Sequence, residues 1–297
     1  MTGDALRMGL VGAGPWAHKV HGPGIVAHPR TELVATWARR PDAAAEVAAL
    51  GGATPFTDFD DFLGQVDAVA FAVPPAVQAP LAARAAKAGK HLVLEKPVAP
   101  TSDEAAALAA AVEQAGVTTS MMLTFRYDAG TRRWLDEVHR AGEWDGGLAR
   151  WFSGTLLDAK YEQSQWRHDG GALADIGPHV FDLLDAALGP VQSVEQARLT
   201  GHGVWHVMLG HENGRVSTAT LSMHTPAQPA ITDFAVHGPH GFLAFDAGGD
   251  ANERYAVLLD DFVGLVDSKT AEHPLDVRRG LHLQRLLGRV TDQLAGG

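Results

Sequence analysis

The sequence Leu6-Arg7-Met8-Gly9-Leu10-Val11-Gly12-Ala13-Gly14-Pro15-Trp16-Ala17 joins a short apolar run to a glycine turn. The apolar run predicts a strand, and the residues after the turn are expected to continue as a helix. A strand, a G-x-G-x-x-G/A turn and a helix follow one another in dinucleotide-binding domains, where the pyrophosphate lies at the helix N-terminus. Gly12 permits the tight turn, Gly14 permits close approach of the backbone, and Ala17 is a small residue at the third position. Taken alone, the pattern fits an ordinary glycine turn equally well.

An alternation of strands and helices continues from this turn to about residue 123. Further strands are predicted at 32–36, 68–73, 91–94 and 118–123, and alanine-rich helices at 42–50, 77–88 and 101–115. The run at 68–73 is continuously apolar, which is typical of a strand buried on both faces of a parallel sheet. This alternation predicts an α/β fold with a doubly wound parallel sheet, a Rossmann-type domain that binds ligands at the carboxyl ends of its strands.

The end of the second predicted strand bears on the choice of nucleotide. In an NAD site this position usually carries an Asp or Glu that binds the ribose hydroxyls. Here the residues are Ala38, Arg39 and Arg40. Two guanidinium groups without a carboxylate suit a 2′-phosphate, so the sequence favours NADP, with NAD as the alternative. The competing interpretation is that both arginines are solvated loop charges.

The composition limits the classes of protein to which the chain can belong. Its 297 residues are enough for two domains, and 46% hydrophobic with 20% charged residues is an ordinary globular balance. A formal net charge of −11 argues against a general nucleic-acid binder, which needs a basic surface. The chain has no cysteine, which excludes disulfides, thiolate metal sites and a cysteine nucleophile. The first residues lack a basic, apolar leader and no stretch reaches membrane-spanning length, so we expect a cytoplasmic protein without a membrane partner.

A second stretch contains titratable side chains that could form part of an active site. It is Gly170-Gly171-Ala172-Leu173-Ala174-Asp175-Ile176-Gly177-Pro178-His179-Val180-Phe181-Asp182. Asp175, His179 and Asp182 are spaced by four and three residues, so on a single helix they would project from one face. Pro178 has no N–H to donate and suits the first turn of that helix. Alone, Asp175 and His179 fit a helix-capping pair or half of a metal site as well as an active site.

Several motifs occur in the order and spacing of one protein family. They are the glycine turn, Ala72-Val73-Pro74-Pro75, Glu95-Lys96-Pro97, Phe125-Arg126-Tyr127, Trp166-Arg167 and the stretch from Gly170 to Asp182. Together they resemble the glucose–fructose oxidoreductase, inositol dehydrogenase and MocA family (Gfo/Idh/MocA) over nearly the whole chain.

The resemblance implies both a fold and a site. It implies a Rossmann domain followed by an α+β domain with an open, mostly antiparallel sheet through which the chain forms a homodimer or homotetramer. It also implies a catalytic set of Lys96, Asp175 and His179. The predicted cofactor-binding residues are Gly12, Gly14, Pro15, Trp16, Arg39, Arg40, Pro74, Glu95 and Lys96. The chain departs from the family at Gln78, where many members carry histidine, and near Thr124, where many carry asparagine.

Residues 1–123 are therefore predicted to form the Rossmann domain, and residues 124–297 the substrate and oligomerisation domain. In the second domain we expect an amphipathic helix at 128–141 and strands at 149–157, 191–199, 204–209, 215–223, 231–237 and 242–245. The Gly and Pro turns between the later strands predict antiparallel pairing. A last helix at about 275–294 is expected to pack back toward the Rossmann domain.

The polar and aromatic loop 158–169 is a candidate substrate wall, since aromatic rings stack on the faces of sugars. Candidate substrate-binding residues are Arg126, Tyr161, Trp166, Arg167 and His179. The competing interpretation is a solvated loop with the Trp166 ring in the core. The recurring histidines of the second half have no carboxylate at regular ligand spacing, so no metal site is predicted.

The sequence as a whole predicts an NAD(P)-dependent oxidoreductase that transfers a hydride between nicotinamide and a secondary alcohol or ketone of a sugar, polyol or related small molecule. In this hypothesis His179 takes the hydroxyl proton, Asp175 orients the imidazole and Lys96 holds the reacting oxygen. One alternative is a glycoside-cleaving enzyme of the same fold that uses its nicotinamide transiently. Another is a non-catalytic NADP-binding sensor.

Overall fold

The structure is a computed structural model that describes residues 5–158 and 164–295. It divides into two compact units. The first contains the described residues up to Thr124 together with Asp250–His282, and the second contains those between Phe125 and Gly249 and those from Leu283 onward. The chain therefore leaves the first unit, returns to it, and leaves it again.

The first unit is built on a six-stranded parallel sheet. Its strands are β1 (Leu6–Val11), β2 (Thr31–Trp37), β3 (Thr54–Phe56), β4 (Ala68–Phe71), β5 (His91–Leu94) and β6 (Thr119–Met121). They lie in the order β3-β2-β1-β4-β5-β6, and every neighbouring pair is parallel. The predicted doubly wound sheet is confirmed, and the strand order reverses at β1 and β4, where such sheets bind ligands.

The helices between these strands are α1 (Gly22–Ala27), α2 (Pro41–Ala48), α3 (Phe59–Leu63), α4 (Pro75–Lys87) and α5 (Ser102–Ala115). The start of α5 has the Thr-x-x-Glu spacing of a capping box. The Thr101 hydroxyl accepts the Glu104 N–H at 3.2 Å and donates to the Glu104 carboxylate at 2.8 Å. β3 and α3 were not predicted. They have three and five residues, which is too short for a hydrophobic period to be visible.

The second unit contains a mixed six-stranded sheet. Its helices are α6 (Ala129–Ala141), α7 (Gln165–Asp175) and α8 (Gly177–Leu188), and its strands are β7 (Gly146–Phe152), β8 (Val191–Thr200), β9 (Val204–His211), β10 (Val216–Ser222), β11 (Ile231–Gly238) and β12 (Gly241–Asp246). The strand order is β12-β11-β7-β10-β9-β8, and only the β7/β10 pair is parallel. The prediction of a second, mostly antiparallel sheet is confirmed.

Two helices follow the second sheet, α9 (Ala251–Asp267) and α10 (Val277–Ala295). The last helix is predicted by the sequence pattern, whereas α9 is not among the predicted elements. The signal for α9 was available, because Asp250 caps its first turn and Tyr255, Leu258, Leu259 and Phe262 repeat at helical spacing. These four side chains are fully buried. Among the described residues, no helix is long and apolar enough to cross a membrane.

Candidate functional site

The predicted cofactor segments lie at one edge of the parallel sheet. Gly12 follows β1, Arg39 follows β2, Pro74 follows β4 and Lys96 follows β5. Because the strands are parallel, their carboxyl ends meet at the same edge, beside the reversal of strand order. The fold of the first unit therefore gathers segments that are more than 80 residues apart in the sequence.

Gly12 is a position at which the backbone requires glycine. Its φ angle is +115°, and a Cβ atom there would lie 2.4 Å from the Ala72 carbonyl oxygen. Its N–H donates to the Trp37 carbonyl at 2.9 Å, which ties the turn to the end of β2. A side chain at this position would have to displace the loop that follows β4.

Gly14 differs from Gly12 because it faces open space. A Cβ atom built there has no other atom within 4 Å. Pro15 is exposed, Trp16 is half-buried, and a helical turn begins with them and continues as a π-helix over Ala17–His21. Open space beside a glycine at a helix N-terminus fits a pyrophosphate, because the first N–H groups of a helix favour anions. The residues present therefore fit a dinucleotide at this edge.

The turn after β2 carries Arg39 and Arg40, both exposed. The Arg40 guanidinium lies 3.8 Å from the Asp42 carboxylate, and both groups are solvated, so this ion pair contributes little to stability. Ala38, at the position of the usual ribose-binding carboxylate, is buried. The turn therefore carries two exposed arginines at the sheet edge, with alanine in place of an acid at position 38.

The backbone of the Glu95-Lys96-Pro97 turn is fixed by Gln78 on α4. The fully buried Gln78 side chain donates from Nε2 to the carbonyls of Glu95 at 2.8 Å and Val98 at 3.0 Å. Its Oε1 atom accepts the Glu95 N–H at 2.8 Å. The peptide bond between Lys96 and Pro97 is cis. The residue at which the chain departs from the family pattern is therefore part of the support of the Lys96 turn.

The Glu95 carboxylate is bound on both oxygens. Its Oε1 atom lies 2.9 Å from Nε2 of His21, and its Oε2 atom accepts the Lys96 N–H at 3.2 Å. The His21 Nδ1 atom lies 3.2 Å from the hydroxyl of Tyr255. Burial, together with the nearby Glu95 charge, raises the pKa of Tyr255 far above its ordinary value, so the hydroxyl keeps its proton. Sequence reasoning did not identify His21 or Tyr255, because no local spacing connects them with Glu95.

In the second unit, the helix predicted to carry Asp175, His179 and Asp182 is broken. α7 ends at Asp175, Ile176 lies between the helices, and α8 begins at Gly177. The prediction that the three side chains project from one helix face is wrong. The reason is Pro178, which lacks an N–H to continue the hydrogen bonds of α7 and instead occupies the first turn of α8.

Asp175 is buried and is held by Arg167. The Arg167 Nε atom donates to the Asp175 carboxylate at 2.9 Å, and its Nη1 atom donates to the Ser164 hydroxyl at 3.1 Å. The guanidinium carbon also lies 4.4 Å from the centre of the Trp166 ring. A buried carboxylate needs such a partner, because removing a charge from water costs several kcal/mol. The Arg167 guanidinium therefore binds the Asp175 carboxylate, and the half-buried Trp166 ring lies against the Arg167 guanidinium.

His179 lies in the first turn of α8 and is 6% exposed. Its ring packs against Phe125 with 5.5 Å between ring centres, and against Trp151 with 5.9 Å. These two ring contacts restrict rotation of the imidazole. The second unit thus holds both members of the predicted acid–histidine pair in defined positions, although on different helices.

Asp182 pairs with Arg126. The Arg126 Nη1 atom lies 3.2 and 3.4 Å from the two oxygens of the carboxylate, which is 1% exposed. Arg126 was predicted to bind substrate, and the structure places its guanidinium on this buried acid. Asp182 therefore has a structural partner of its own, as Asp175 has in Arg167.

The remaining candidates are placed as follows. Tyr161 lies outside the described residues, and Thr124 begins a short 3-10 turn. Across residues 5–158 and 164–295, no three His, Cys, Asp or Glu side chains are grouped so that they could hold a metal ion.

Two family models match most of the chain. The model described as "Oxidoreductase family, NAD-binding Rossmann fold" matches residues 6–123. The model described as "GFO/IDH/MocA C-terminal domain" matches residues 145–244. The two matched segments lie in the same order, and in the same two halves of the chain, as the motifs that carry the family resemblance.

Similar proteins include enzymes that are named for sugars. The chain is 33% identical to dTDP-3,4-didehydro-2,6-dideoxy-alpha-D-glucose 3-reductase of Streptomyces violaceoruber, over 70% of this chain and 62% of that protein. It is 32% identical to galactose 1-dehydrogenase of Pseudomonas fluorescens, over 60% and 53% respectively. The WlbA dehydrogenase of Bordetella pertussis, solved with NADH and UDP-GlcNAcA, is 25% identical with a TM-score of 0.86, covering 98% of this chain and 97% of that one. The chain spans between 53% and 62% of the length of the first curated relatives it matches.

Proposed function

The chain belongs to the Gfo/Idh/MocA family of oxidoreductases, and on that basis we propose that it transfers a hydride between a nicotinamide cofactor and a secondary alcohol or ketone of a sugar, polyol or related small molecule. The observation that carries the proposal is the edge of the parallel sheet in the first unit. There the Gly12 turn packs closely against the loop that follows β4, and Gly14 leaves room for a pyrophosphate. Lys96 follows β5, the strand next to β4.

The first unit is assigned to cofactor binding. The backbone at Gly12 and Gly14 would hold the pyrophosphate at the N-terminus of the helical turn that begins with Pro15 and Trp16, and Pro74 and Glu95 border the same edge. Bound nicotinamide supplies or accepts the hydride. NADP is proposed over NAD because Ala38 replaces the carboxylate that an NAD site usually has, and the guanidinium-bearing residues Arg39 and Arg40 follow it.

The catalytic roles are assigned to three residues. Lys96 donates a hydrogen bond to the oxygen on the reacting carbon and stabilises negative charge that develops there. His179 takes the hydroxyl proton as the hydride leaves, and returns it in the reduction direction, since imidazole exchanges protons near neutral pH. Asp175, whose carboxylate is bound by Arg167, is assigned to orient the His179 imidazole.

The proposed substrate class follows the names of the similar proteins. They include a reductase of a dTDP-linked sugar and a dehydrogenase of galactose, and one solved relative contains a UDP-linked sugar. We therefore propose free sugars, polyols and nucleotide-linked sugars as the compounds to test. Trp166 supplies an aromatic face that suits a sugar ring. Location in the cytoplasm and assembly into a homodimer or homotetramer through the second sheet stay predictions from the sequence.

The function is tested by measuring oxidation and reduction of this panel with NADP(H) and NAD(H). In Lys96→Ala and in His179→Ala we expect turnover to fall by roughly 10²- to 10⁴-fold, because a positioned proton-transfer group contributes about that much. Dissociation constants for NADPH, measured by fluorescence titration, should stay within about threefold of the wild-type value. Wild-type turnover in either variant would contradict the assigned roles.

Two results would replace the proposed activity. Cleavage of glycosides without net change in nicotinamide oxidation state would indicate the glycosidase alternative. Tight nucleotide binding without turnover of any compound in the panel would indicate the sensor.

A further inference from the structure

We propose that Gln78 and His21 are positioning residues that hold the Glu95–Lys96 turn and thereby fix Lys96 at the sheet edge. The proposal rests on the proposed function in so far as Lys96 binds the reacting oxygen. All of the residues involved belong to the first unit. Two separate sets of hydrogen bonds carry it, one on the backbone of the turn and one on the Glu95 side chain.

The backbone set is made by Gln78. β5 ends at Leu94, so the N–H and carbonyl of Glu95 lie beyond the strand pairing of the sheet. A buried backbone group without a partner is costly, and the Gln78 amide satisfies both of them, at 2.8 Å each. The same amide nitrogen also donates to the Val98 carbonyl, two residues beyond Lys96. Gln78 thus binds the chain on both sides of Lys96.

The side-chain set is made by His21. Ionised Glu95 can only accept hydrogen bonds, so the 2.9 Å contact requires the proton on Nε2 of His21. When the ring carries only this proton, Nδ1 of His21 accepts a hydrogen bond from the Tyr255 hydroxyl, which keeps its proton because it is fully buried. His21 is fully buried and is the last residue of the π-helical turn Ala17–His21. Single π-helical turns inside helices are rare and frequently occur at functional sites.

The two sets meet at Lys96. The Glu95 oxygen not bound by His21 accepts the N–H of Lys96 itself at 3.2 Å. Orientation of the Glu95 carboxylate by His21 therefore restrains the main chain of Lys96, while Gln78 restrains Glu95 and Val98. Removing either set frees the backbone from which the Lys96 side chain projects. A displacement of about 1 Å at a group that binds the reacting atoms can lower a rate by about 100-fold.

The chain offers a matched control in His28. It is a second buried histidine of the first unit, and its Nε2 atom binds the Asp260 carboxylate at 3.0 Å. Replacing His28 removes a histidine–carboxylate contact of nearly the same length that does not touch the Glu95–Lys96 turn. Any general effect of losing a buried histidine should therefore appear in both variants.

The first measurement is hydrogen–deuterium exchange of the peptide that carries the amides of Glu95, Lys96 and Val98; Pro97 has no amide proton. In His21→Phe and Gln78→Leu we expect these amides to exchange at least about tenfold faster than in the wild type. His28→Phe should leave their exchange at the wild-type rate. Wild-type exchange in both His21→Phe and Gln78→Leu overturns the proposal.

The second measurement uses turnover with the substrate found by the panel described above. We expect kcat to fall by about 10- to 100-fold in both variants, with KM for the nucleotide within about threefold of the wild-type value. His21→Gln, whose side-chain amide can still donate to Glu95, should restore kcat to within about threefold of the wild type. Absence of this rescue together with an equal loss in His28→Phe would assign His21 to stability alone and overturn its positioning role.

The exchange measurement needs no substrate. If the wild-type protein turns over nothing in the panel, the proposed function fails and the exchange rates alone decide whether Gln78 and His21 hold the turn. If His21→Phe does not fold, Gln78→Leu and His21→Gln supply the same comparison. Wild-type exchange in both variants together with lost turnover would also overturn the positioning role, because turnover would then be lost without any loosening of the Glu95–Lys96 turn.

Discussion

At the scale of single residues, neighbouring acids with similar sequence surroundings have different partners. Asp175 and Asp182 are seven residues apart and both are buried, and each is bound by a different arginine. Two arginines predicted to bind substrate, Arg126 and Arg167, are those partners. Removing either arginine would take away the guanidinium that pairs with a buried carboxylate, so substitutions there are expected to affect folding as well as activity.

Arg39 and Arg40 are the residues that decide the proposed preference for NADP. In the double variant Arg39→Ala/Arg40→Ala, we expect the dissociation constant for NADPH to rise by about 10-fold or more, because a hydrogen bond to a charged group contributes about 1.5–3 kcal/mol. The dissociation constant for NADH should change by less than about threefold. Both are measured by fluorescence titration. Arg84→Ala removes another exposed guanidinium of the same unit and controls for net charge. Tighter binding of NADH than of NADPH by the wild-type protein would contradict the preference.

At the scale of elements, His211 connects three parts of the second unit. It lies at the end of β9, its Nδ1 atom is 2.7 Å from the Gly189 carbonyl after α8, and its Nε2 atom is 2.7 Å from the Ser217 hydroxyl on β10. With Nδ1–H donating to the carbonyl and Nε2 accepting the hydroxyl proton, the neutral ring satisfies both partners. A second proton on the ring would remove the acceptor that Ser217 uses.

This arrangement predicts a loss of stability at mildly acidic pH. Burial lowers the pKa of His211 below the ordinary value of 6.5, although the Gly189 carbonyl acts in the opposite direction. Below about pH 6.5 the unfolded chain therefore binds more protons at this residue than the folded chain, and the free energy of unfolding falls as the pH falls. In His211→Gln, which does not titrate, urea unfolding should depend less on pH between about 7.5 and 5.5 than in the wild type.

The exposed His206 on the same strand supplies the control, because His206→Gln should leave the pH dependence unchanged. Part of the dependence is expected to persist in every variant, since burial also lowers the pKa of His91 in the first unit. An identical pH dependence in His211→Gln and the wild type would show that His211 does not contribute.

At the scale of the whole molecule, the first unit is not continuous in sequence. Asp250–His282 belongs to it, and α9 contributes Tyr255 to His21 and Asp260 to His28. A Cβ atom at Gly24 would lie 2.4 Å from the Tyr255 ring, so α1 and α9 pack closely. The segment that follows the second sheet thus completes the unit in which the Lys96 turn lies.

A fragment ending at Thr124 is therefore expected to be less stable than the same fragment joined by a flexible linker to residues 250–282. The fully buried side chains of α9 each contribute about 1.5–3 kcal/mol when they are removed from water. The comparison is the midpoint of urea unfolding followed by circular dichroism, with a linked segment of scrambled α9 sequence as the control. Equal midpoints for the fragment alone and the joined fragment would show that α9 is dispensable for this unit.

The sequence by itself determined the features that depend on neighbours a few residues away. The glycine turn after β1, the capping box of α5, and the alternating elements of the parallel sheet all follow from local spacing and backbone preference. The motifs also indicated the family and a set of candidate residues. These features were predictable because strand and helix periods and turn residues act over a few positions in the chain.

Only the tertiary structure decided which of these residues are held by which partners. The pairing of Arg167 with Asp175 and the support of the Lys96 turn by Gln78 and His21 have no local signature that fixes them. His21 binds Glu95 across 74 positions and Tyr255 across 234. Contacts of that range form because folding removes polar groups from water and each must then find a partner, wherever in the sequence that partner lies.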